Sequence, residues 1–146
     1  MSERESWLQV GVAGRELLLP TRDLLEVLSA PSVMPMPAHP RGIGGVVIHQ
    51  GEFLPVLAWQ DLPGGQVGMA PPAAPAALAV LRLRLGLPLE RLGRSLELAP
   101  AAWHPTAEED PWASWTIGAA RFEGRDMPGL DLDRLIALLR QFREEH

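Results

Sequence analysis

Residues 44–59 read GGVVIHQGEFLPVLAW: two apolar runs, 46–48 and 53–59, on either side of Gln50-Gly51-Glu52. Runs rich in Val, Ile and Phe that flank a short glycine-containing break are the sequence form of a β-hairpin. Gly51 supplies a backbone able to turn, and Pro55 interrupts the returning strand before apolar residues resume. The pattern occurs twice, because Gly45, Gly51, Pro55, Leu57 and Leu62 reappear as Gly118, Gly124, Pro128, Leu130 and Leu135 at a constant offset of 73. The copies stand on either side of a segment, 63–75, made mostly of Gly, Pro and small residues, which reads as a connector. A repeated hairpin on both sides of a connector predicts a mainly β chain with two subdomains, 7–62 and 76–130, in which Gly51 and Gly124 hold equivalent turns.

The flanking segments extend this reading. Leu8, Val10 and Val12 alternate with Trp7, Gln9 and Gly11, and Gly14 permits a turn into 16–19, an opening hairpin. Residues 21–28 suit a short helix or a strand equally. Pro31, Pro35, Pro37 and Pro40 exclude a helix over the next stretch. Leu81, Leu83 and Leu85 alternate with Arg82 and Arg84 and predict a half-exposed strand, with 87–98 as its antiparallel continuation. An acidic loop, 104–111, precedes a strand from Trp115 to Ala119. The last element, 131–144, is a helix with an apolar stripe of Leu132, Leu135, Ile136, Leu139 and Phe142 and with Asp131 as its N-cap.

Composition removes several functions. The 146 residues carry a net charge of −5, and all 13 basic residues are Arg, scattered with no cluster fit to follow a phosphate backbone, so nucleic acid is not an expected partner. There is no Cys, hence no thiol nucleophile and no thiolate metal site. Glu3, Arg4 and Glu5 stand where a signal peptide needs a basic start and an apolar run, and the apolar stretch 70–81 is short and broken by prolines. The expectation is a cytoplasmic protein with no membrane insertion. His39, His49, His104 and His146 show no ligand spacing on a shared element and read as surface or turn residues, and Glu108, Glu109 and Asp110 lack the alternation of a calcium loop. No serine sits in a nucleophile elbow, and the glycines at 42, 44 and 45 are not followed by the Lys-Ser or Lys-Thr of a phosphate loop. No catalytic residue, cofactor or metal is expected. Trp103, Trp112 and Trp115 either form a binding surface or cap a β core.

Residues 17–59 resemble the first half of a CheW-like domain. Leu24-Leu25-Glu26-Val27 stands where that family has Val-x-Glu-Ile, and Met36-Pro37 where it has Ile-Pro. Pro40, Ile43, Gly45-Val46 and Gly51 match Pro-x-x-Ile-x-Gly-Val-x-Asn-Leu-Arg-Gly, and Phe53 to Leu57 match the strand that follows. Residues 118–139 are similar to the family's closing hairpin and helix. The resemblance implies two SH3-like β-barrels around a shared core and a non-enzymatic adaptor that couples a chemoreceptor or similar sensor to the histidine kinase CheA, in chemotaxis or pilus-driven motility. It implies a receptor-binding region at Leu24, Glu26, Val27, Gln50 and Gly51, and kinase docking through exposed apolar residues of the first subdomain, here Val46, Ile48, Phe53 and Pro55. Ile48 and Gln50 replace the family's Asn and Arg, and Ala58 replaces an Asp. These departures point to a variant adaptor without ordinary receptor binding. Glu26 and Gln50 are expected to be exposed neighbours, with Glu26→Arg leaving folding intact. A reading from a different class is a small-molecule barrel with Trp7, Trp59 and Trp115 around one cavity. A metal-dependent enzyme built on His104 and the acidic loop is the weakest.

Overall fold

A computed structural model describes residues 3–36, 40–65 and 74–144. Its strands are β1 (Glu5–Val12), β2 (Arg15–Pro20), β3 (Leu24–Ser29), β4 (Met34–Pro35), β5 (Ile43–His49) and β6 (Glu52–Leu57), followed by β7 (Ala77–Leu81), β8 (Leu85–Leu89), β9 (Arg91–Leu98), β10 (Trp103–His104), β11 (Thr116–Phe122) and β12 (Arg125–Leu130). One helix, α1 (Leu132–Glu144), follows. Its N-cap is as expected, with Asp131 accepting from the Arg134 N–H at 3.2 Å.

The strands form two six-stranded sheets, one ordered β10-β11-β12-β2-β1-β9 and the other β4-β5-β6-β8-β7-β3. The two orders correspond strand for strand. The repeat is present down to its irregularities. β5 and β6 pair with Val47 opposite Leu54 and a break in register between Ile43 and Gly45, while β11 and β12 pair with Ala120 opposite Met127 and a break between Thr116 and Gly118. Gln50 and Gly51 turn at φ of 53° and 78°, and Glu123 and Gly124 at 50° and 76°, so the two turns are the same. Even the neighbouring strand joins at corresponding residues, Val56 meeting Gly86 of β8 and Gly129 meeting Leu18 of β2, both in parallel.

The expected division into 7–62 and 76–130 does not describe these sheets. The opening hairpin β1–β2 belongs to the sheet of β9–β12, and the hairpin β7–β8 belongs to the sheet of β3–β6. Each half of the sequence lends its first hairpin to the other. This exchange explains the run Leu17-Leu18-Leu19, in which all three residues are fully buried. Leu18 points into the core of its own sheet with Trp7, Leu96 and Met127, while Leu17 and Leu19 point into a second core shared with β7, β8 and α1. A strand buried on both faces has no polar side, and each such leucine contributes about 1.5–3 kcal/mol. The core of the other sheet is Val33, Val47, Leu54, Val56, Leu78 and Val80.

Two further expectations are corrected, and the open reading of 21–28 is settled. The alternating Leu81–Leu85 segment is not a strand but the turn between β7 and β8. Leu81 pairs with Leu85, and Leu83 and Arg84 take positive φ of 71° and 57°. The turn is fixed by Arg82, whose backbone N–H donates to the Asp23 carbonyl at 2.8 Å and whose guanidinium bonds the buried Asp23 carboxylate. Residues 87–98 are two strands, broken at Glu90, whose N–H donates to the Gly11 carbonyl. Residues 21–28 resolve into a single 3-10 turn, Thr21–Asp23, followed by β3. Most of the 63–75 connector, along with Pro37, His39 and His146, lies outside the described residues.

Candidate docking face

Alternation on the β5–β6 hairpin sends Val47, Leu54 and Val56 inward and leaves Val46, Ile48, Phe53 and Pro55 on the outer face. Ile48 and Phe53 are cross-strand partners, 60% and 69% exposed, and Val46 pairs with Pro55. Met34 of β4 stands opposite Val46 and is 42% exposed, which widens the patch. An aromatic and a β-branched side chain held side by side in water by a rigid sheet form a preorganised apolar anchor, the kind of feature that carries binding energy between proteins.

The other predicted residues divide. Gln50 and Gly51 form the exposed turn beside Ile48. Glu26 is partly exposed, and its carboxylate is bonded to Nε2 of His49, the residue before Gln50. Glu26 and Gln50 thus reach the same corner, but the group that meets Glu26, the His49 ring, comes from inside the fold. His49 is not the surface residue its sequence context suggests: it is 8% exposed, and its Nδ1 is buried without a partner. Leu24 and Val27 are half-buried against the shared core and are not part of the exposed patch. Leu25, 61% exposed, projects from β3 where no binding role was assigned. Met34 and Leu25 escaped the sequence reading because one lies on a two-residue strand among prolines and the other in a run with no clear period.

Elsewhere the polar clusters serve the fold. Asp110 receives both guanidinium nitrogens of Arg15 at 3.0 and 2.9 Å and the Trp112 N–H at 3.0 Å; the Arg15 bond holds its carboxyl below the ordinary value, against the opposing effect of burial. His104 contacts Asp126 and the Pro105 carbonyl, each at 3.2 Å. Among the described residues no three His, Asp or Glu side chains gather as metal ligands, and no helix is long and apolar enough to cross a membrane. Trp112 and Trp115 pack at 4.9 Å and Trp115 meets Trp59 at 5.7 Å, all within the shared core, so this pair caps the core and does not form a surface. Trp7 lies in a different core, against Trp103 at 4.6 Å. The three tryptophans of the small-molecule reading therefore do not surround one cavity.

Comparison with known proteins agrees with the fold. The family model described as CheW-like domain matches residues 6–140. Among solved structures, the scaffolding protein TtCheW from Thermoanaerobacter tengcongensis superposes with a TM-score of 0.77 at 16% identity, over 92% of this chain and 89% of that one. No curated protein matches the chain in sequence.

Proposed function

Because the chain belongs to the CheW-like domain family, we propose that it is a non-catalytic scaffold which holds a chemoreceptor or similar sensor to a CheA-type histidine kinase. The observation that carries this reading is the exposed pair Ile48 and Phe53 on the outer face of β5–β6. In this proposal the patch Met34, Val46, Ile48, Phe53 and Pro55 docks the regulatory domain of the kinase, and the corner formed by Glu26, Gln50 and Gly51 faces the sensor.

The test is capture of the purified regulatory domain of a CheA-type kinase from the same genome. Burial of one large apolar side chain supplies about 1.5–3 kcal/mol, so Phe53→Asp or Ile48→Asp should each weaken the complex at least about tenfold. Unchanged affinity with a folded variant removes the patch from the interface.

A narrower form of the same reading is favoured by the corner itself. Glu26 is already engaged by His49, and the turn carries Gln50 where the family resemblance places Arg. We infer a scaffold that keeps the kinase contact and has lost ordinary receptor docking. Gln50→Arg should then tighten binding to a receptor-tip fragment; wild-type binding as tight as that of the variant would refute the loss.

A further inference from the structure

Helix α1 follows β12 but also lies beside the other sheet, that of β5, β6 and β8, and between them runs a groove of about 160 Å³. Its floor is apolar, formed by Ile43, Pro55 and Leu85 together with Ile136 and Leu139 of the helix. Its rim is cationic: Arg41, Arg84, Arg140 and Arg143 all line it, and no acidic side chain does. The spacing of Ile136, Leu139, Arg140 and Arg143 is i, i+3, i+4, i+7, which puts apolar floor and charged rim on one face of α1. Arg84 of this rim lies 3.4 Å from the Glu52 carboxylate, and Arg15, Arg82, Arg91 and Arg134 elsewhere likewise meet a carboxylate within the fold. Arg140 and Arg143 are exposed and make no such pair among the described residues. In a chain whose net charge is −5, a local surplus of guanidinium around an apolar floor runs against the overall field.

We propose that this groove is a second docking site, and that its occupant is an acidic amphipathic peptide segment of a partner protein. Apolar side chains of the segment enter between Ile136, Leu139 and Pro55. Its carboxylates pair with Arg140 and Arg143, whose planar guanidinium groups suit carboxylate recognition. The position of the two arginines near the C-terminal end of α1 is also favourable for the helix itself, so the proposal needs a readout other than stability.

Fluorescence anisotropy with two synthetic amphipathic helical peptides supplies it. Both peptides carry the same leucines, one with Glu and the other with Lys at every polar position. The acidic peptide should bind and the basic one should not, and binding should fall steeply as salt rises from about 0.05 to about 0.5 M. The double variant Arg140→Gln, Arg143→Gln should lose at least about tenfold in affinity while circular dichroism shows the fold intact. Phe53→Asp, which should weaken kinase capture, should leave peptide binding in place and so separates this site from the kinase reading. Vesicles of phosphatidylglycerol and phosphatidylcholine form the remaining arm. The proposal is overturned by equal binding of both peptides, by no binding of either, by an unaffected double variant, by loss of peptide binding in Phe53→Asp, or by binding to vesicles alone.

Discussion

Glu26 on β3 takes a hydrogen bond from Nε2 of His49 at the end of β5, closing one corner of the sheet with a charge on its outer side and a buried ring on its inner side. At the equivalent corner of the other sheet, Phe122 occupies the place of His49 and Arg94 lies 5.0 Å over its ring. The same framework thus closes one corner with a hydrogen bond and the other with a cation on an aromatic face. Glu26→Ala leaves the buried imidazole with neither nitrogen bonded and should cost about 1–3 kcal/mol, more than the roughly 0.5 kcal/mol of an ordinary surface change. The expectation that Glu26→Arg spares folding is revised for the same reason. His49→Phe removes the orphaned Nδ1 and installs the ring that Phe122 supplies in the other sheet, so it should stay within about 1 kcal/mol of wild type. Urea denaturation of both variants measures this, and a larger loss from His49→Phe than from Glu26→Ala refutes it.

The two hairpin turns make a paired prediction. Gln50 and Glu123 both hold positive φ, 53° and 50°, ahead of a glycine, a conformation that Asn adopts more readily than either. Gln50→Asn, and Glu123→Asn measured in an Arg94→Gln background that removes its exposed ion pair, should each raise stability by about 0.5 kcal/mol, and by equal amounts. Melting temperatures that move in opposite directions would contradict the equivalence of the turns.

Gly42 is a point of close approach. Its φ is 98°, its N–H donates to the Asp61 carboxylate at 2.8 Å, and a methyl group there would collide with Leu139 and crowd Phe142 of α1. Gly42→Ala should cost about 2–4 kcal/mol, from backbone strain and overpacking together. Hydrogen exchange should show the loss concentrated in α1, and uniform weakening of the whole chain would argue against this contact as its cause.

Asp110 gives a pH dependence. Its pKa is lowered in the folded state, chiefly by the Arg15 bond, so its stabilising contribution is complete above the unfolded value of about 3.9 and disappears as pH falls through the lower folded value. The stability difference between wild type and Asp110→Asn should therefore stay constant from about pH 7 to about pH 5 and shrink below about pH 4. A difference that grows with acid reverses the sign and removes the argument.

The sequence made the hairpins legible because their turns are local: Gln50-Gly51 and Glu123-Gly124 dictate backbone geometry with no help from the rest of the chain. The outer apolar residues Ile48 and Phe53 were reached through the family resemblance, and the pairing of β5 with β6 is what sets them on the opposite face from Val47 and Leu54. What failed was whatever depends on distant partners. Leu81, Leu83 and Leu85 alternate as a strand would, yet Asp23, far away in sequence, captures Arg82 and makes the segment a turn. His49 looked like a turn residue because nothing near it announces Glu26. The exchanged hairpins were invisible for the same reason: each pairs acceptably with either set of strands as judged by pattern, and only the packing of both cores decides between them.

That exchange also governs how the chain reaches its native state. β2 finds its place only when Leu18 meets Gly129, roughly 110 residues further along, and non-local pairing of this kind slows folding. During synthesis the opening hairpin emerges long before the strands that complete its sheet, with Leu17, Leu18 and Leu19 exposed on both faces in the interval. The first half can close neither sheet unaided, since β7 and β8 are needed even for its own strands. Productive folding is therefore held back until β11 and β12 have been made, and a chain released before then presents an unsatisfied strand edge to every other chain in the same condition.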